Sequence, residues 1–317
     1  MYRIGIDLGG TNISAGIVND SYEILCKMSC PTKAERQSDA IVQDIIGLCG
    51  SLCQKAGLSL KEDISMIGIA SPGIADSKTG MIVYSCNLPF SKYPVCEVIR
   101  SSTGVKDMRL ENDANAAALG EAVAGSAKGS ENSILITLGT GVGGGVLIHH
   151  RIVSGFNAAG GELGHIVIEK DGVPCNCGRK GCWESYSSAT ALIRMTKEKA
   201  DECRKNSRSS LLTDAEKITG RTAFDAARKG DAAALEVLRV YYDYLACGLT
   251  NIINIFQPET ISIGGGISGE GQSMIDELEP RISREVYGKG IVPSTKIRIA
   301  SLGNDAGIIG AAALSEM

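Results

Sequence analysis

One imidazole and three thiols lie close together in the middle of the chain. They are His165, Cys175, Cys177 and Cys182, the last three in Cys175-Asn176-Cys177-Gly178-Arg179-Lys180-Gly181-Cys182. One His and three Cys make a closed tetrahedral zinc set with no position left for a reacting water, so a metal held there is structural. Gly178 and Gly181 let the loop turn back to deliver Cys182. The competing reading is a disulfide plus a spare thiol, or three free thiols in a polar loop. Glu184 follows two residues after the last ligand, so a rigid knuckle would hold it firmly.

A second chemistry is written in Gly-rich turns. In Asp7-Leu8-Gly9-Gly10-Thr11-Asn12, glycines stand where backbone must approach a ligand, and successive N–H groups form an anion-binding nest. Asp7 offers oxygen to Mg2+, directly or through water, and Thr11 and Asn12 can donate to phosphate oxygens. An ordinary hairpin turn would read the same way, but the pattern recurs. Residues 4–18 read IGIDLGGTNISAGIV and residues 134–148 read ILITLGTGVGGGVLI, so that Leu8 matches Leu138 and Gly9 matches Gly139. Gly139-Thr140-Gly141 is then a second phosphate turn, and the repeat means duplicated domains.

Two further stretches have two readings each. Gly264-Gly265-Gly266 follows an apolar strand, and is either a tight strand-to-helix turn or a surface on which a base and ribose pack. Glu111-Asn112-Asp113 sits where a strand ends and a helix begins. Asp113 is either a helix N-cap or the carboxylate that orients an alcohol and accepts its proton during phosphoryl transfer.

The elements that must carry these groups follow from periodicity. Strands are expected at Tyr2 to Asp7 and Ile13 to Val18, forming a hairpin, and at Ile64 to Ala70 and Val105 to Leu110. Ile41, Ile45, Leu48 and Leu52 recur with helical spacing, and Ala114 to Val123 is Ala-rich and favours helix. A long amphipathic helix from about Ala232 to Phe256 is stopped by Pro258. Strands at Thr260 to Ile263 and Lys296 to Ala300 and a small-residue helix from Ala306 finish the chain. Alternating strands and helices predict an α/β fold, and the hairpins predict mixed sheets. Lys197 to Ser210 reads as a solvated surface segment.

Composition narrows the class. The chain has 317 residues, 44% of them hydrophobic and 21% charged, with a net charge of −4. That supports two domains with sizeable cores and argues against disorder and against a nucleic-acid partner, which needs a basic face. No signal peptide and no membrane span is expected, which predicts a cytoplasmic protein with reduced thiols. Of the 11 cysteines, Cys26, Cys30, Cys49, Cys53, Cys86, Cys96, Cys203 and Cys247 read as core thiols.

Taken together, the Asp7–Asn12 turn, Glu111-Asn112-Asp113, Leu138–Gly145, Gly161–His165 and the Cys175–Cys182 knuckle resemble the ROK family of bacterial sugar kinases and related repressors. The resemblance spans nearly the whole chain. Its most specific part is Gly-Glu-Leu-Gly-His followed by Cys-x-Cys-Gly-x-x-Gly-Cys. It implies two actin-like (ribonuclease-H-like) α/β domains with mixed sheets around a cleft. Residues 1–111 would form a small N-terminal domain, completed by a C-terminal helix at about 305–317, and residues 112–304 a large domain carrying the zinc loop. The implied activity is ATP-dependent phosphorylation of a hexose hydroxyl, glucose to glucose 6-phosphate. The alternatives are a kinase for fructose, allose, N-acetylmannosamine or N-acetylglucosamine, or a non-catalytic sugar sensor.

Matched by position, the resemblance makes Asp113 the catalytic base. It makes Asn87, Asn112, Asp113, Glu162, His165 and Glu184 the sugar-contacting residues, with His165 also a zinc ligand. Asp7, Gly9, Gly10, Thr11, Asn12, Thr140 and Gly141 match the phosphate segments, and Gly264, Gly265 and Gly266 the adenosine segment. The implied cofactors are ATP, Mg2+ and a structural Zn2+, and the implied assembly is a homodimer or higher homo-oligomer. Two departures stand out. The first strand starts at Tyr2, leaving no room for the helix-turn-helix of the family's repressors, and Phe90 stands where many of the family's glucokinases carry Trp.

Overall fold

The computed structural model describes residues 1–316. The hairpin expected around the first Gly-rich turn forms: β1 (Tyr2–Leu8) and β2 (Asn12–Val18) pair antiparallel, Leu8 opposite Ile13. β3 (Ile24–Pro31) pairs antiparallel with β2, and α1 (Ser38–Ala56) follows. The apolar face read from the sequence is the face α1 buries, through Ile41, Val42, Ile45, Leu48 and Leu52, and Gly57 ends the helix in the left-handed region at φ 69°. β4 (Ile64–Ser71) returns parallel to β1. A small antiparallel sheet of β5 (Ile74–Asp76), β6 (Met81–Tyr84) and β7 (Ser91–Tyr93) comes next, then α2 (Val95–Thr103). β8 (Asp107–Asn112) lies parallel to β4 and runs straight into α3 (Asp113–Val123). The main sheet has the order β3-β2-β1-β4-β8.

The repeat is structural as well as textual. β9 (Ser133–Leu138) and β10 (Val142–Ile148) occupy the positions of β1 and β2 in the second copy, and β11 (Arg151–Ile152) pairs with β10. Residues 4–10 and 134–140 share the same sequence of buried and half-buried positions, ending in an exposed residue at the turn. Beyond them come α4 (Glu184–Ser187), α5 (Ala189–Lys205), α6 (Thr222–Arg228), α7 (Ala232–Phe256), β12 (Thr260–Gly264), α8 (Gln272–Glu285), β13 (Lys296–Ile299) and α9 (Ala306–Ala313). The second sheet has the order β11-β10-β9-β12-β13, the same topology as the first, with β12 and β13 parallel.

By contacts the chain divides into two compact units. Unit 1 holds residues 1–135, 144–161 and those from 300 onward, and unit 2 holds residues 136–143 and 162–299. The division differs from one at 111/112 because α3 packs against α9 within unit 1. The expected C-terminal segment lies in unit 1 up to residue 316, and Met317 lies outside the described residues. Helix α9 is buried along its whole length and sits on the sheet where two strands carry mid-strand glycines. A Cβ on Gly5 or Gly68 would come within 1.9 Å of a carbonyl oxygen of α9, so the helix can settle only on glycine.

The polar run from Lys197 is largely exposed, as expected; as far as Lys205 it is the second half of α5, which buries Ala200 and Cys203, and one expectation about the cysteines is corrected. Cys86 is exposed, whereas Cys49, Cys53, Cys96 and Cys203 are buried as core thiols. Among the described residues no helix is long and apolar enough to cross a membrane.

Candidate active site and metal centre

In unit 1 the first Gly-rich turn closes on itself, with the Gly9 N–H donating to the Asn12 carbonyl at 3.0 Å. Thr32 clamps it from β3's end: its hydroxyl donates to the Gly9 carbonyl at 2.6 Å and its N–H to the Thr11 carbonyl at 2.8 Å. Gly10, Thr11 and Asn12 remain exposed, as a ligand-facing nest requires. Asn87, in an exposed loop, brings its Cβ to 3.8 Å from the position a Gly10 Cβ would take. Phe90, by contrast, is 2% exposed and stacks edge-on against Tyr93 at 5.4 Å, so the Phe-for-Trp departure lies in the core.

Asp113 is the first residue of α3 and its Oδ1 accepts from the Ala114 N–H at 2.9 Å, but it is not the cap. Asn112, not Asp113, caps α3: its Oδ1 accepts from the N–H groups of Ala114 and Asn115 at 2.9 and 3.2 Å. Its amide also donates to the Gly73 carbonyl at 3.1 Å, and its side chain hydrogen-bonds the Asp113 carboxylate. Asp113 is therefore not required as a cap. Burial raises its carboxyl above the usual range, against the pull of the Ala114 N–H bond. Asp7 is pushed up to about 6, first by burial and then by repulsion from the Asp113 carboxylate. Part of that burial comes from α9, where a Cβ on Gly307 would lie 2.9 Å from Asp7 Cγ.

In unit 2 the second turn closes one residue tighter than the first, with the Gly139 N–H donating to the Gly141 carbonyl at 3.0 Å. Thr140 is exposed. Gly264, Gly265 and Gly266 run beside the end of β9. Gly265 has φ 84° and ψ 178°, a conformation open to glycine, and its missing Cβ would lie 2.5 Å from the Leu138 carbonyl oxygen. Unit 2 thus brings the second Gly-rich turn and the triple-glycine turn side by side.

The metal set also lies wholly in unit 2. One ligand atom from each of His165, Cys175, Cys177 and Cys182 falls within 4.8 Å of the others. His165 Nδ1 is 3.6 Å from Cys175 Sγ, and the sulfurs of Cys177 and Cys182 are 3.6 Å apart. Tetrahedral zinc with Zn–S of about 2.3 Å and Zn–N of about 2.0 Å requires ligand separations of about 3.5–3.8 Å. The separation also exceeds a disulfide bond's, and all three thiols are free. The donor set fits zinc. Because Nδ1 faces the cysteines, His165 keeps Nε2 for another partner. The loop is held by bridges pairing Pro174 with Lys180 and Val167 with Cys182.

Glu162 is exposed just before the short turn carrying His165, and Glu184 is half-buried. Sequence reading missed the partners of Glu184. Its Oε2 accepts from the Val142 N–H at 3.0 Å, and its Oε1 lies 3.8 Å from Cys175 Sγ. It also missed Thr32 and Thr190, whose hydroxyls hold the carbonyls of the two Gly-rich turns. Thr32 lies 23 residues after the carbonyl it holds and Thr190 lies 50 after its own, so no common spacing marked them in the sequence.

Known proteins share both the sequence and the fold. The chain is 36% identical over 312 residues to the glucokinase of Thermotoga maritima, covering 98% of this chain and 96% of that one. A ROK family glucokinase from Streptomyces griseus, solved with glucose and AMPPNP, superposes with a TM-score of 0.78 at 33% identity, covering 99% of each chain. A ROK hexokinase from Thermus thermophilus superposes with a TM-score of 0.81 at 31% identity, covering 98% of this chain and 97% of that one. These relatives bear out the actin-like α/β fold that the family resemblance implied. The ROK family pattern itself matches residues 3–317, so the repeated Gly-rich hairpins, the Asn112-Asp113 helix start and the His/Cys knuckle are those of a family: this chain belongs to the ROK family.

Proposed function

We propose that this protein is an ATP-dependent hexose kinase that converts glucose to glucose 6-phosphate. The observation that carries the reading is Asp113, a half-buried carboxylate at the start of α3 that its neighbour Asn112 frees from capping duty. In the transfer, the sugar hydroxyl oxygen forms a bond to the γ-phosphorus, the bond from that phosphorus to the bridging oxygen breaks, and ADP leaves. The hydroxyl proton passes to an Asp113 oxygen. Raised basicity suits that task, since a carboxylate with an elevated pKa accepts a proton more readily. The names of the glucokinase relatives favour glucose as the acceptor.

The remaining residues bind and orient. Asn87, Asn112, Glu162, His165 Nε2 and Glu184 would hydrogen-bond sugar hydroxyls. Gly9, Gly10, Thr11, Asn12, Thr140 and Gly141 would receive the phosphates, Gly264–Gly266 the adenosine, and Asp7 the magnesium. Zinc on His165, Cys175, Cys177 and Cys182 would fix the imidazole's tautomer and aim its free N–H. A cytoplasmic setting, with reduced thiols, and a homo-oligomeric assembly complete the reading.

ADP release measured across glucose, fructose, allose, N-acetylglucosamine and N-acetylmannosamine tests it. Glucose is expected to give the highest kcat/KM. No sugar-dependent ADP release with any of them would overturn the assignment.

Asp7 makes a separate prediction about stability. Its folded-state pKa of about 6 lies above the ordinary aspartate value of 3.8, so the folded state holds this proton more tightly than the unfolded state does. The stabilising contribution is therefore complete below the unfolded value and is lost as pH rises through about 6. At neutral pH the ionised group costs up to about 3 kcal/mol. Asp7→Asn should raise the thermal midpoint of the nucleotide-free protein near pH 7, by a margin that narrows towards pH 5, while weakening activation by Mg2+. A midpoint difference independent of pH would contradict this account of Asp7.

A further inference from the structure

The segment that follows the last metal ligand also holds the second Gly-rich turn. Three bonds tie it to residues 139–142. The Val142 N–H donates to Glu184 Oε2 at 3.0 Å, the Ala189 N–H to the Gly139 carbonyl at 2.9 Å, and the Thr190 hydroxyl to the Thr140 carbonyl at 2.8 Å. Gly141 leaves space for the carboxylate, since a Cβ there would lie 2.3 Å from Glu184 Oε2. The segment has little freedom to drift. Trp183 is fully buried, donates from Nε1 to the Tyr244 carbonyl at 3.1 Å, and lies against Gly248, where a Cβ would meet the ring at 2.1 Å.

We propose that Glu184 and Thr190 are positioning residues for the nucleotide-phosphate turn, so that residues 184–190 set nucleotide affinity independently of any contact Glu184 makes with sugar. This rests on the reading of Gly139–Val142 as a phosphate-binding turn. An anion nest works only if its N–H groups point inward together, and each carbonyl of the turn must then point outward to a partner. Thr190 and Ala189 supply those partners. Glu184 holds the N–H of Val142, which would otherwise join the donors facing the ligand, and so fixes where the nest ends.

The test is calorimetric titration with MgAMPPNP in the absence of sugar, on wild type, Glu184→Ala, Glu184→Gln and Thr190→Val. Loss of a hydrogen bond to a charged group predicts about a tenfold weaker Kd for Glu184→Ala, and loss of a neutral one about a fivefold weaker Kd for Thr190→Val. Glu184→Gln keeps an oxygen that can accept from Val142 and should stay within about threefold of wild type. Glucose affinity should be unchanged in Thr190→Val. Should Glu184→Ala fail to fold, Thr190→Val decides, because its side chain is exposed and spares the core. Wild-type nucleotide affinity in the folded variants would overturn the inference while leaving the kinase reading intact. A wild type that binds no MgAMPPNP would instead overturn the kinase reading, and this inference with it.

Discussion

Asp113→Asn is expected to lower kcat by ~10²–10⁴ and to leave the affinities for glucose and nucleotide within a few-fold of wild type. The amide has the carboxylate's shape but cannot take the hydroxyl proton. The substitution is also well isolated. α3 keeps its cap, because Asn112 supplies both capping bonds. Removing a half-buried charge that burial already disfavours should not destabilise the fold. Steady-state kinetics together with equilibrium glucose binding separate the outcomes. A variant keeping most of its kcat would remove Asp113 from the base role. Lost glucose binding would show that the carboxylate mainly grips substrate.

The second large effect concerns the metal. Purified protein should carry about one zinc per chain, and Cys177→Ser should lose it. Cys177 is exposed and distinct from the buried Cys182, so its replacement disturbs the metal with little direct effect on packing. Both KM values should then rise. Sugar affinity falls because His165 Nδ1 loses the partner that fixes its ring, and misplacement at a reacting site can cost ~100-fold in rate. Nucleotide affinity falls because Cys182 leads through buried Trp183 to Glu184, which holds Val142. The checks are metal analysis, thiol titration and separate KM values for glucose and ATP. Active protein without zinc, with Cys175, Cys177 and Cys182 all titrating as free thiols, would show that the knuckle needs no metal.

What was legible in the sequence followed from local patterns. The duplicated hairpin could be read because both copies need the same alternation of buried residues before the same turn, and residues 4–10 and 134–140 do share one burial sequence. The metal set was legible because its chemistry is carried by residue type and close spacing. Asp113 was ambiguous because Asn and Asp both cap helices, and only the observed acceptor, Asn112 Oδ1, resolves which one does. Two features were beyond sequence reading. The bond from Val142 to Glu184 joins residues 42 positions apart, and no periodicity encodes it. The second half of α5 hides its apolar face in Thr196, Ala200 and Cys203, residues too small or polar to mark a stripe among lysines and glutamates.

The central claim is phosphoryl transfer to a sugar hydroxyl, and ³¹P NMR of a reaction containing the protein, glucose and MgATP tests it most directly. A kinase of this kind should produce a phosphomonoester whose phosphorus couples to the C6 methylene protons, in step with ADP and with little orthophosphate. In Asp113→Asn that resonance should be nearly absent over the same period. Orthophosphate as the product would identify an ATPase whose water is not excluded, and unconsumed ATP beside tightly bound glucose would identify a sugar sensor. Either result would contradict the account.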